Sequence, residues 1–326
     1  MRKLLLSSTA LATAAALTAG AAVADVSISA ATEWNYNSRS SNVTANDGTT
    51  FGVDSEIAFK FSNKTDSGLT IGYVVELESD DTDSAINESS LSIAGGFGKL
   101  VLGGNDGVGD NYGIEAEDAI AEESTPTVMS ASIGTDTDIS AMSGDANKVA
   151  YHLPAMGGFT AGASFADSGA VGSTDTTAFG FNYTMEAAGN TITIGGATAT
   201  TGATTTDTDS QNLGVKVVSG NLTFIAAQSS LEKVDEDISS TGAGVSYKMA
   251  NGMVLGAYTM KSEDDLDAGE EYTKSGVEVQ YTIAAGLTAV INVDDYEYTA
   301  ATSPDATGTS TSDSGTNSKL TIKASF

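Results

Sequence analysis

The 326-residue chain has no cysteine, three prolines, one histidine and one tryptophan. The lack of cysteine excludes a disulfide framework and any thiolate metal site. A lone histidine, His152, excludes a zinc centre built on several imidazoles and reads as an ordinary hydrogen-bonded polar residue. Bases are scarce: 14 Lys and Arg stand against 43 Asp and Glu, for a formal charge of −29. Nucleic acid, whose phosphates need Lys and Arg, is therefore not a partner, whereas cations are. Beyond the first residues, no apolar run approaches the roughly eighteen residues of a transmembrane helix. Phosphate-loop, nucleophile-elbow and zinc-ligand spacings are also missing, so no enzyme is expected.

What is present begins with MRKLLLSSTALATAAALTAGAAVA, a basic start, an apolar stretch and a small-residue end. Residues 1–24 read as a secretory signal peptide and 25–326 as one domain. Without that segment 12 bases remain against 43 acids, a charge of −31. The rest of the chain alternates. In Phe51–Ser62 the odd positions are Phe51, Val53, Ser55, Ile57, Phe59 and Phe61, and the even ones are small or charged. Strict period-two alternation is a strand with one apolar and one polar face. The pattern recurs at Gly68–Ser79, Lys274–Ile283 and Lys319–Phe326.

Separators alternate as well. Short Gly- or Asn-containing turns are expected near 63–68, 95–98, 154–158, 186–190, 219–221, 249–252 and 283–286. Longer polar connections are expected near 38–50, 79–87, 104–147, 166–175, 200–210, 230–237, 262–271 and 299–315. Pro126, Pro154 and Pro304 all fall in these separators, where they cost no ladder bond. Seven turns and eight loops make sixteen antiparallel strands, the layout of an outer-membrane β-barrel. Strand charges share the parity of the polar face: Arg39, Lys60, Lys99, Lys148, Lys216, Lys248, Lys274, Lys319 and Lys323, with Glu33, Asp54, Glu56, Glu76, Glu78, Glu88, Glu278 and Asp294. Residues 221–229 and 253–261 are ambiguous in parity. Trp34, Tyr36, Phe97, Phe159, Tyr183, Tyr247, Tyr272, Tyr281, Tyr296, Tyr298 and Phe326 lie near strand ends, where interfacial girdles belong.

The stretches DVSISAATEWNY, GKLVLGGNDGVGDNYG, KVAYHLPAMGGFTAGASFAD and SKLTIKASF, in that order, resemble the general porins of Gram-negative bacteria, most closely those of Rhodobacter-like alphaproteobacteria. The resemblance implies an all-β, 16-stranded transmembrane barrel whose long third loop, here 104–147, folds into the lumen as a constriction. It implies a homotrimer in outer-membrane lipid and lipopolysaccharide, and a terminal strand read by the barrel-assembly machinery through Leu320, Ile322, Ala324 and Phe326. The function it implies is passive diffusion of ions and small hydrophilic solutes. Alternatives are a solute-specific porin, which would need an aromatic slide or a dense basic site, and a secreted acidic calcium-binding or adhesin-like β protein.

By loop count the acidic stretch Asp106, Asp110, Glu115, Glu117, Asp118, Glu122 and Glu123 is the constriction, and the acid run continues through Asp136, Asp138 and Asp145. In the family such acids face wall bases; candidates here are Arg39, Lys60, Lys99, Lys319 and Lys323. Only one Arg lies outside the signal segment, so the dense arginine cluster of relatives is absent. A carboxylate-lined pore concentrates cations, which makes cation selectivity the expectation. No cofactor is required. Calcium, which carboxylates bind well, is a candidate ligand at Asp106, Asp110, Glu117 and Asp118, without EF-hand spacing.

Overall fold

Alternating side chains suit a strand whose two faces meet different surroundings, because successive Cβ atoms point to opposite sides. In a computed structural model the chain meets that condition sixteen times. The described residues are 25–43, 46–78, 86, 88–122, 146–167, 175–202, 207–234, 236–266, 270–299 and 312–326. The signal-peptide reading at 1–24, Glu123, Asp136, Asp138 and Asp145 lie outside them.

The strands are β1 (Asp25–Ser41), β2 (Gly48–Lys64), β3 (Thr70–Glu78), β4 (Glu88–Gly95), β5 (Gly98–Gly104) and β6 (Asn147–His152). They continue with β7 (Phe159–Ala166), β8 (Asp175–Ala187), β9 (Asn190–Gly202), β10 (Thr208–Ser219) and β11 (Leu222–Lys233). The last are β12 (Glu236–Lys248), β13 (Val254–Asp264), β14 (Glu271–Ala284), β15 (Leu287–Thr299) and β16 (Ser312–Ser325). Each pairs antiparallel with its sequence neighbours, and β1 closes the barrel by pairing with β16 as well as β2. At the seam Glu33 stands opposite Lys323 on one side and Asp54 on the other. A closed sheet leaves no edge strand, which a membrane interior requires because it offers no water to satisfy backbone groups.

β15 shows how the faces are sorted. Val290, Asn292, Asp294, Tyr296 and Tyr298 are buried on the inner face, while Ile291 and Val293 are exposed on the outer one. The same division runs round the barrel, with Phe179 and Phe181, Phe224, Leu255, Val277 and Val279 exposed outward. The two ambiguous strands resolve here. β11 turns Ile225 and Ala227 inward, and β13 turns Gly256, Tyr258, Met260 and Ser262 inward. Their inner faces carry apolar residues, which is why parity could not be read from the sequence.

The short turns fall where expected, and the 104–147 separator is confirmed by β5 ending at Gly104 and β6 starting at Asn147. The turn after β8 is a two-residue one with both central residues at positive φ, Ala188 at 52° and Gly189 at 80°. That is the backbone hand a tight hairpin needs.

Two expectations need correction. The loops expected at 38–50 and 230–237 shrink to 42–47 and 234–235, because the ladder continues through polar residues beyond the apolar band. Ser40 still opposes Thr316, and Glu232 opposes Asp237. Tyr272, Tyr296 and Tyr298 do not join the outer girdle; they are buried inward, packed with Met260. Their hydroxyls have inward partners, Tyr298 donating to Glu270 at 2.7 Å and Tyr296 to Asp313 at 3.3 Å. Trp34, Tyr183, Tyr247 and Tyr281 remain exposed outward.

A charge on the outer face should be costly in the way lipid exposure dictates. Val279→Arg is expected to lower the free energy of folding into vesicles by about 2–4 kcal/mol if that position sits at the bilayer midplane. Urea titration of folding into phospholipid vesicles measures it.

Candidate functional site

The segment leaving β5 packs against the strands from β6 round to β16. Asn105 accepts from Lys148 of β6 through its carbonyl oxygen. A one-turn helix, α1 (Val108–Tyr112), follows, and then a 3-10 turn at Ala116–Ala119. Helix α1 packs on β7, β8 and β9, and the 3-10 turn on β11, β12 and β13. Residues 121–122 then reach β14 and β16.

This course is possible because the wall is floored with glycine. A Cβ at Gly162 of β7 would lie 2.9 Å from the Tyr112 ring, and one at Gly180 of β8 would lie 2.8 Å from Tyr112 Cβ. At Gly195 of β9 it would meet the Tyr112 carbonyl at 2.8 Å, and at Gly214 of β10 the Ile114 Cβ at 2.6 Å. At Gly244 of β12 it would meet Ala119 Cβ at 2.5 Å, and at Gly256 of β13 Ile120 Cγ2 at 2.7 Å. All six are closer than real Cβ atoms come, so each strand gives up a side chain where the segment crosses it. Around the floor, Val108 and Tyr112 bury against Ala178, Ala197 and Ala199, and Ile114 and Ala119 against Ile225.

Polar ties hold the segment at intervals. Asn212 of β10 reads both backbone groups of Ile114, accepting from its N–H at 3.1 Å and donating to its carbonyl at 3.0 Å. The Tyr112 hydroxyl lies 2.9 Å from His152 Nδ1, so His152 is a hydrogen-bonded polar residue, as the sequence suggested. The Glu278 carboxylate of β14 accepts from the backbone N–H groups of Ala121 at 2.8 Å and Glu122 at 2.7 Å. The Glu122 carboxylate then bonds Lys319 at 2.5 Å and also contacts Lys323, which reaches Glu33 of β1 at 2.8 Å.

The acids therefore divide. Glu117 and Glu122 are buried against the wall, Glu115 is half-buried, and Asp110 and Asp118 are exposed on the other side of the segment. Glu115 and Asp118 cap the 3-10 turn reciprocally, with Glu115 N donating to Asp118 at 3.2 Å. Asp106 is half-buried at the start of the segment. Among the described residues no three of His, Asp and Glu converge as a metal-binding set, so Asp106, Asp110, Glu117 and Asp118 are not brought together as one.

Of the five wall bases, Lys319 and Lys323 meet the segment. Arg39 stands opposite Asn317 at the long-loop end of the seam, Lys60 opposite Ser27 and Val74, and Lys99 opposite His152. Sequence reasoning missed Glu278 and Asn212 as anchors, and it missed the glycine floor. One inward glycine on each of several consecutive strands was the available signal. It also looked for bases where the inner wall of β1–β4 carries acids in direct cross-strand register: Glu33 with Asp54, Glu56 with Glu78, and Glu76 with Glu88.

Burial alone would push the Glu122 carboxyl up, but the Lys319 and Lys323 ammoniums outweigh it and hold the group below the usual carboxylate range. Glu33 and Glu278 are the other charged groups at this corner. A lowered pKa means that the tie is fully present above the ordinary Glu value of about 4.3 and is lost as pH falls through the folded value. The Glu122 tie is thus expected to weaken below about pH 4, and Glu122→Gln should lose part of that acid dependence; melting followed by circular dichroism reads this. Gly214→Ala is expected to cost about 1–3 kcal/mol through overpacking. Gly48→Ala, with open space around it, is the control that should cost little in the same denaturation assay.

Several solved structures share this architecture. The anion-selective porin from Comamonas acidovorans superposes with a TM-score of 0.70 at 16% identity, covering 93% of this chain and 100% of that one. OmpT of Vibrio cholerae in its trimer form gives 0.70 at 14% identity, over 93% and 99%. A mutant of the Rh. blastica porin gives 0.66 at 14% identity, over 92% and 100%. At such identities the likeness concerns the fold alone. No curated protein matches the sequence. The family model described as Gram-negative porin matches residues 9–317, nearly the whole length, and the chain belongs to that family.

Proposed function

We propose that the chain forms a passive, water-filled diffusion channel in the outer membrane, non-enzymatic and cation-selective, with residues 105–122 lying in the lumen and narrowing it. The observation that carries this reading is the sorting of the segment into two sides. Its apolar side chains take the glycine-floored wall, whereas Asp110 and Asp118 are exposed and Glu115 is half-buried between them. One short segment touching strands from β6 round to β16 supports a place inside the barrel, because only the interior reaches them all.

The opposite wall supports the sign of selectivity. Glu33 with Asp54, Glu56 with Glu78, and Glu76 with Glu88 add to the negative charge there. Low-dielectric walls focus the field of such acids, and salt screens it over about 10 Å at 0.1 M. The Comamonas porin, described as anion-selective, has the same fold, so the fold does not set the sign. Here the charges along the path set it, and they are mostly negative. Calcium enters this reading as a divalent cation competing for the same acids, which lowers monovalent current.

The exposed apolar outer face suits outer-membrane lipid and lipopolysaccharide. A homotrimer is the proposed assembly, by analogy with the trimer form of OmpT. Leu320, Ile322 and Ala324 share the outer face of β16, and with Phe326 just after it they fit a strand read during barrel assembly. A solute-specific channel is less well supported. Tyr258, Tyr272, Tyr296 and Tyr298 line the inner face but are packed away, Tyr258 donating to Asp294 at 2.8 Å.

In a planar bilayer under a potassium chloride gradient, the reversal potential is expected to have the cation-selective sign; the anion-selective sign would overturn the reading. Neutralising Asp110, Glu115 and Asp118 together should lower the potassium-to-chloride permeability ratio severalfold while the barrel still folds.

A further inference from the structure

Lys319 and Lys323 are inner-wall bases placed to oppose cation passage, and both ammoniums meet a buried acid. Both are drawn to Glu122, which itself is only 7% exposed. Lys319 bonds one Glu122 oxygen and Lys323 the other, with Lys323 also held by Glu33 at 2.8 Å. The side chains of the two lysines keep 17% and 23% of their surface. The backbone at this point is fixed independently, since Glu278 takes the N–H groups of Ala121 and Glu122. The carboxylate of Glu122 is thus presented to the two lysines by a main-chain anchor that does not depend on its charge.

An ammonium paired at hydrogen-bond distance with a carboxylate and mostly covered contributes less to the field at a distance than the same ammonium unpaired and facing an ion path. We infer that Glu122 is a selectivity-determining residue that acts by masking Lys319 and Lys323 from the ion path rather than by lining it. This rests on the channel reading above. It differs from that reading in what it demands: a buried acid, outside the permeation surface, should control selectivity through two bases.

Reversal potentials of the wild type, Glu122→Gln and the triple variant Glu122→Gln/Lys319→Met/Lys323→Met test it. Glu122→Gln is expected to shift the potential toward the anion side, with a severalfold fall in the potassium-to-chloride ratio, and the triple variant is expected to recover most of that ratio. Loss of the tie alone would leave the triple variant as impaired as the single one, and that result would overturn masking, as would no shift in Glu122→Gln. The readout is a difference between variants, so it is independent of the wild-type sign, which tests the channel's cation selectivity separately.

A second measurement needs no variant to fold. Brief acylation of the native protein, followed by peptide mass spectrometry, should modify Lys319 and Lys323 several times more slowly than the exposed Lys99. Equal rates would refute the masking.

Discussion

Closure of the sheet on itself is the constraint from which the rest follows. In a bilayer an unpaired strand edge has no water to satisfy it, so β1 must find β16 and every ladder must be complete. Closure also creates an inside and an outside. Alternation along each strand then assigns side chains to one or the other, because the period of a strand is two. The outer face exposes large apolar residues, and the inner face holds most of the charges together with small residues, tyrosines and a few apolar side chains.

The described part of the connection after β5 packs closely against the strands of the barrel. Laying a backbone along a wall of strands requires that the wall give way. Glycine is the only residue that leaves no Cβ, and Gly162, Gly180, Gly195, Gly214, Gly244 and Gly256 form the track. The segment answers with an apolar underside of Tyr112, Ile114, Ala119 and Ile120. Where the track ends, charge takes over: Glu278 holds the backbone, and Glu122 closes an ion-paired corner with Lys319, Lys323 and Glu33. Taking so many charges from water is costly unless each is paired and hydrogen-bonded, and here the carboxylates and ammoniums interlock.

Much of the fold was legible because it rests on periodicity. Phe51–Ser62 announces its faces residue by residue, and the turns announce themselves through Gly and Asn. Errors came where that code carries two messages. Strands β11 and β13 turn apolar residues inward, Ile225 against the segment and Met260 against Tyr272, Tyr296 and Tyr298, which left their parity ambiguous in the sequence. Tyr296 and Tyr298 sit near a strand end like girdle aromatics, yet they share parity with Asn292 and Asp294 and so point inward. Strand ends were drawn too short at Ser41 and Lys233 because polar residues there still pair through the backbone, which a side-chain pattern does not report.

The sequence by itself determined the barrel: sixteen alternating strands, one acidic excursion after the fifth, and a heavy excess of negative charge. Those are properties of local order and composition, and they survive without any knowledge of contacts. Only the tertiary structure decided which acids do what. Glu117 and Glu122 lie on the wall while Asp110 and Asp118 face away from it, although all four belong to the same run of thirteen residues, Asp110 to Glu122. The reason is that their roles depend on partners more than a hundred residues distant, Glu278, Lys319 and Lys323, which sequence spacing does not bring together and barrel closure does.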